Sequence, residues 1–146
     1  MAALGIALEK DSGYSSCQEG WVGYECNCYF ISSESRSWHE SRAVCVSMNS
    51  SLLQMHSRDE LAHLNGLLLC QQHFMSSSLR FFWVGATYSA GRGAWEWEDG
   101  SAVSRETFPF FKTANTTDCM LYSPKGHFLN EPCKKTNPYI CKQQPT

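Results

Sequence analysis

The repeat distance between apolar residues changes along the chain, and each change marks a segment. Residues 1–16 carry no sustained repeat and read as a weakly structured lead-in. Within residues 17–31, the runs Trp21-Val22-Gly23-Tyr24 and Cys28-Tyr29-Phe30-Ile31 are aromatic and β-branched, separated by glycine and cysteine, which predicts short strands. Between residues 37 and 48 the spacing becomes helical, because Trp38, Cys45 and Met48 fall near one face. Ser37 and Glu40, three apart, form a capping box for that helix. A second helix is predicted from Ser57, where Ser57-Arg58-Asp59-Glu60 has the same form and Leu61, Leu64 and Leu68 line a buried face. Asn65-Gly66 interrupts its pattern and argues against a continuous helix.

After Ser76-Ser77-Ser78 the period is strand-like. Phe81-Phe82-Trp83-Val84-Gly85 reads as a buried strand, and Trp95-Glu96-Trp97-Glu98-Asp99-Gly100 alternates apolar and acidic residues before a turn. Met120-Leu121-Tyr122 and Pro138-Tyr139-Ile140-Cys141 complete the strand candidates. Two helices followed by several antiparallel strands predict an α+β domain.

Composition narrows the setting. A length of 146 residues suits one domain with one core, and 42% hydrophobic residues mark a folded chain. A net charge of -2, from 12 basic and 14 acidic residues, supplies no field for nucleic acid, so no nucleic-acid partner is expected. The eight cysteines contain no Cys-x-x-Cys pair, and Cys26-x-Cys28 is too tight for a common zinc knuckle. Asn49-Ser50-Ser51 and Asn115-Thr116-Thr117 are acceptors for N-glycosylation. With eight cysteines, they favour an oxidising, extracellular setting. No run of about 18 apolar residues spans a bilayer, and the apolar residues 1–8 lack a charged leader and a cleavage site. The expectation is either a fragment of an anchored protein or a chain whose export signal lies outside these residues.

Catalytic chemistry finds little support. Glu96, Glu98 and Asp99 offer a carboxylate pair of the glycosidase kind. Their alternation with Trp95 and Trp97 instead predicts the solvent face of a strand whose tryptophans point inward. The five histidines show no zinc spacing and no serine sits in a nucleophile elbow. No enzyme activity, cofactor or metal is expected.

Trp83-Val84-Gly85, then Trp95-Glu96-Trp97-Glu98-Asp99-Gly100, then Cys119, Cys133 and Tyr139-Ile140-Cys141 resemble, in order and spacing, the C-type-lectin-like fold. That fold has two helices with two small antiparallel sheets, stapled by disulfides, and the resemblance covers roughly residues 17–143, within a domain placed at 17–146. Cys17-Gln18-Glu19, Cys26-Asn27-Cys28-Tyr29-Phe30-Ile31-Ser32-Ser33-Glu34, Ser50-Ser51-Leu52-Leu53-Gln54 and Tyr139-Ile140-Cys141-Lys142-Gln143-Gln144 are similar to killer-cell lectin-like receptor subfamily D. This resemblance implies a natural killer cell receptor chain that pairs with a related subfamily C chain and binds non-classical MHC class I-like molecules. It also implies disulfides Cys17–Cys28, Cys45–Cys141 and Cys119–Cys133.

The alternative is a calcium-dependent carbohydrate-binding lectin. Sugar-binding members of the fold use a Glu-Pro-Asn or Gln-Pro-Asp triplet and a Trp-Asn-Asp triplet, which supply oxygen ligands for calcium. Here Phe128-Leu129-Asn130 stands in the second position, no Glu-Pro-Asn precedes Cys119, and Glu131-Pro132 runs into Cys133.

By positional match, the ligand-contacting surface implied by the resemblance falls on Ser76, Ser77, Leu79, Arg80, Thr113, Asn115, Ser123, Lys125, His127, Asn130, Glu131 and Lys135. The departures are specific. Lys125, Lys134 and Lys135 make this surface basic where the family's is polar and acidic, and a glycan on Asn115 would sit on it. A cysteine pair that the family carries just before Cys17 is Tyr14 and Ser15 here, so Cys26 loses its expected partner and pairing with a second chain should be noncovalent. Residues 62–73 stand where the family has a short loop near its dimer contact, and they bring Cys70. For Cys26 and Cys70 the alternatives are free thiols, a mutual bond or links to another chain.

Overall fold

The computed structural model describes residues 17–71, 81–89, 91, 93–104, 118–124 and 127–144. In chain order the elements are β1 (Val22–Tyr24), β2 (Asn27–Ile31), α1 (Trp38–Ser47), β3 (Ser51–Leu52), α2 (Arg58–Gln71), β4 (Phe82–Ser89), β5 (Ala94–Trp97), β6 (Asp118–Ser123), β7 (His127–Pro132) and β8 (Ile140–Gln143). The strands form two antiparallel four-stranded sheets, ordered β1-β2-β8-β3 and β5-β4-β6-β7. This is the α+β architecture expected. The three disulfides also join the expected partners, Cys17–Cys28, Cys45–Cys141 and Cys119–Cys133.

Helix α1 starts where its capping box dictates. The Ser37 hydroxyl accepts from the Glu40 N–H at 3.2 Å, and the Glu40 carboxylate accepts from the Ser37 N–H at 3.2 Å. The helix buries Trp38, Ser41 and Cys45, and Met48 caps it while packing against the same cluster. Asn49 then takes a left-handed conformation (φ 59°), which asparagine tolerates just beyond a helix end.

Helix α2 departs from its expectation twice. Ser57 does cap it, accepting from the Glu60 N–H at 3.1 Å, and one Glu60 carboxylate oxygen reaches back to the His56 N–H at 3.5 Å. The other oxygen points inward, 2.7 Å from the Lys142 ammonium on β8, and accepts from the Tyr29 hydroxyl of β2 at 2.6 Å. Nor does Asn65-Gly66 interrupt the helix. Glycine in a helix interior costs about 1 kcal/mol, but Leu64 and Leu68 are fully buried on either side, and the Asn65 side-chain oxygen accepts from the Tyr122 hydroxyl on β6. The helix therefore runs on to Gln71, and Leu61, Leu64, Leu67 and Leu68 pack in or against the core.

Two strands escaped the sequence pattern. β3 is only two residues long, and β7 reads His-Phe-Leu-Asn-Glu-Pro, poor in β-formers. β7 exists because β6 pairs with it along its whole length, with Tyr122 opposite Phe128 and their rings 5.5 Å apart.

The sheets meet at the Trp83-Val84-Gly85 run. Trp83 forms a parallel bridge with Tyr139, and its indole N–H donates to the Arg36 carbonyl at 2.9 Å. The Trp38 indole donates to the Val84 carbonyl at 2.9 Å, binding α1 to β4. Gly85 donates its N–H to the Leu53 carbonyl at 2.8 Å. A Cβ at Gly85 would lie 3.0 Å from the Leu52 carbonyl oxygen, so only glycine lets β3 and β4 approach this closely.

Candidate ligand-binding face

Of the face proposed from sequence, Ser123, Asn130, Glu131 and Lys135 are described in full, and they lie on β6, on β7 or just after β7 in the second sheet, where β7 is the outer strand. β6 is buried along its whole length, including Asp118 and Ser123, because both its faces are covered: Met120 and Tyr122 pack in one core cluster, Cys119 and Leu121 in the other. The Cys119–Cys133 disulfide ties the start of β6 to the turn after β7, and a chain of backbone hydrogen bonds fixes that turn further. The Cys133 carbonyl accepts from the Trp38 N–H at 2.9 Å, and Arg36 and Asn137 exchange N–H···O bonds at 3.0 and 2.9 Å. A polar loop on so many anchors is pre-formed, which lowers the ordering cost of binding.

On this scaffold the sequence-selected residues separate. Lys135 is exposed beside exposed Lys134, and Leu129 is 40% exposed on the outer strand. Asn130 and Glu131 are half-buried and already engaged. The Asn130 amide donates to Asp118 at 2.6 Å, and Glu131 accepts from the Asn137 amide at 3.2 Å. Ser123 is fully buried, so its side chain cannot reach a partner surface; the cover on both sides of β6 removes it from the face. His127 belongs to β7, but its side chain lies outside the described residues, as do Ser76, Ser77, Leu79, Arg80, Thr113, Asn115 and Lys125. Leu129, which the sequence reading passed over, is exposed by strand alternation opposite buried Phe128.

Phe128, Leu129 and Asn130, which the resemblance sets against the calcium triplet of sugar-binding members, carry a poor donor set. Phe128 is buried, Leu129 offers no oxygen in its side chain, and the Asn130 and Asp118 side chains bond each other. Among the described residues, no three His, Cys, Asp or Glu side chains converge as a metal cluster.

The acidic run on β5 and its turn has structural partners. Trp95 and Trp97 point into the core, while Glu98 pairs with Arg42 of α1. Asp99 accepts from the Ser101 N–H at 2.8 Å and from the Ser101 hydroxyl, and faces His56 at 3.5 Å. The Ser101 hydrogen bonds, with a smaller contribution from His56, hold the Asp99 carboxyl below the usual carboxylate range. A glycosidase general acid needs the opposite shift. Cys26 is an exposed free thiol in the β1–β2 turn, and the Cys70 side chain lies outside the described residues.

The family model for the lectin C-type domain matches residues 34–143. Natural killer cells antigen CD94 of Homo sapiens is 53% identical over 139 residues, covering 95% of this chain and 72% of the relative. The chain belongs to the C-type lectin domain family, among the natural killer cell lectin-like receptors. CD94 of Pongo pygmaeus is 52% identical over the same coverage. Among solved structures, the mouse scavenger receptor C-type lectin carbohydrate-recognition domain superposes with a TM-score of 0.71 at 22% identity, covering 89% of this chain and 98% of that one. At that identity the likeness concerns the fold alone. In this C-type lectin domain no helix among the described residues is long and apolar enough to cross a membrane.

Proposed function

We propose that residues 17–146 form the extracellular domain of a cell-surface natural killer receptor chain. In this reading it pairs noncovalently with a related lectin-like chain, and the pair recognises an MHC class I-like protein. The observation that carries it is the 53% identity, over 95% of the chain, to an antigen of natural killer cells. The anchored turn at Cys133 with its exposed Lys134 and Lys135 supports a protein-recognition surface over a sugar site, because the fold's calcium positions are filled by Phe128, Leu129 and a bonded Asn130. The basic character of that turn favours an acidic patch on the ligand, and a like-charged ligand surface would be rejected at a cost of several kcal/mol. The partner chain is held without a disulfide, since Tyr14 and Ser15 replace the family's cysteine pair.

Surface plasmon resonance against peptide-loaded non-classical MHC class I, with and without a subfamily C partner, tests the reading. The expected result is binding by the mixed pair and a weaker signal when Lys134 and Lys135 are both changed to Glu. No binding in either format overturns the ligand assignment. Chelator-sensitive binding on a glycan array would favour the calcium-dependent lectin instead.

A further inference from the structure

Outside that face, a polar groove of about 420 Å³ runs between the C-terminal end of α1, β3 and the end of β8. Its walls include Val46, Asn49, Ser51, Gln54, His56 and Asp99. The volume lies within the range of small-ligand sites, about 300–1,000 Å³. Two features make it unusual for a plain solvent-filled cleft. Asn49 opens the acceptor sequence Asn49-Ser50-Ser51, so the groove carries its own point of sugar attachment at its rim. Val46 is 55% exposed on the same wall, an uncovered apolar side chain in an otherwise polar lining.

We propose that an N-linked glycan on Asn49 folds back into this groove, with its first N-acetylglucosamine covering Val46. The root of the glycan is held rigidly. The Asn49 N–H donates to the Val46 carbonyl at 3.0 Å, and the Gln143 amide donates to the Asn49 carbonyl at 3.1 Å. The Ser50 N–H and hydroxyl both donate to the Cys45 carbonyl, at 2.9 and 2.7 Å. A left-handed Asn49 backbone held in this way fixes the point at which the sugar leaves the chain, at the rim of the groove. The lining matches the ligand: the acetamido methyl suits Val46, while the hydroxyls and the amide meet Gln54, His56 and Asp99, which donate and accept hydrogen bonds. Tethering supplies an effective concentration on the order of millimolar, so a contact too weak to hold free sugar suffices. This reading is independent of the ligand assigned above.

The test uses the whole chain, secreted from mammalian cells in an Asn115→Gln background so that Asn49 carries the glycan of interest. With ¹³C-labelled N-acetylglucosamine, nuclear Overhauser contacts are expected between the acetyl methyl of the first sugar and the Val46 methyls. Val46→Ser should abolish these contacts while intact mass shows Asn49 still glycosylated. Ser51→Ala, which removes the acceptor sequence and leaves the Asn49 backbone unchanged, should speed amide exchange along 49–51. A secreted protein without sugar on Asn49 overturns the proposal. So does a glycosylated one whose first sugar tumbles freely and shows no contact to Val46.

Discussion

Replacing Lys142 by Met should be among the most damaging changes in the chain, although it lies away from the proposed ligand face. The Lys142 ammonium sits 2.7 Å from Glu60, and the two side chains are only 7% and 9% exposed. It also donates to the Gln54 carbonyl at 2.9 Å. Methionine keeps the length and bulk of the lysine stem but leaves Glu60 charged and buried. The Tyr29 hydroxyl at 2.6 Å and the His56 N–H at 3.5 Å would be its remaining donors among the contacts described here. Removing one partner of a buried pair costs about 3–5 kcal/mol, because the surviving charge keeps its desolvation penalty. For a domain of this size that lowers Tm by roughly 10–15 °C. Glu60→Leu combined with Lys142→Met removes both charges and should recover to within about 1 kcal/mol of the parent. Urea unfolding followed by tryptophan fluorescence, run on both single variants and the double, yields the coupling directly. A Lys142→Met cost below about 1 kcal/mol, the range of an exposed pair, refutes the reasoning. So does a double variant no more stable than Lys142→Met alone.

Three further outcomes follow from the same structure. Gly85→Ala brings a Cβ to 3.0 Å from the Leu52 carbonyl oxygen and 3.3 Å from Glu98, and should destabilise by about 1–3 kcal/mol in chemical denaturation. Replacing Cys45 and Cys141 together opens a loop of 96 residues, worth about 4–5 kcal/mol in the chain-entropy model, whereas opening the 14-residue Cys119–Cys133 loop should cost about 3 kcal/mol; equal losses in thermal melts would count against that account. Tyr29 and Tyr122 titrate well above their ordinary 10.0, Tyr29 through burial and then the Glu60 carboxylate, Tyr122 through burial. Their contribution is full below pH 10 and is lost as the pH rises past it, since the unfolded chain releases these protons first. Tyr29→Phe with Tyr122→Phe should therefore flatten the fall in Tm above pH 10, and an unchanged slope would show that these hydroxyls are not its source.

Only part of the candidate face lies among the described residues, and its exposure was legible locally at some positions and not at others. Lys134 and Lys135 are exposed as a charged turn beside a cysteine suggests. Ser123 reads equally well as a loop residue, yet it is buried, because a strand covered on both faces hides polar and apolar positions alike and leaves no alternation to read. The exposure of Leu129 is hidden from the sequence for a complementary reason: it depends on the pairing of β7, which places Phe128 opposite Tyr122.

By itself the sequence determined the elements whose signals are local: the Ser37–Glu40 cap, the Trp38 and Cys45 face of α1, the buried run of β4 and the inward tryptophans of β5. These depend on side chains three or four residues apart in a helix, or two apart in a strand. Tertiary structure alone decided the direction of Glu60, the continuity of α2 through Asn65-Gly66, and the existence of β7. Each depends on a partner far along the chain: Lys142, 82 residues beyond Glu60 in the numbering, Tyr122 for Asn65, and the whole of β6 for β7. Local propensities differ by about 1 kcal/mol or less per residue, while leaving one charge of a buried pair without its partner costs about 3–5 kcal/mol and an unpaired strand leaves several backbone groups without partners, so the distant contact wins wherever the two disagree.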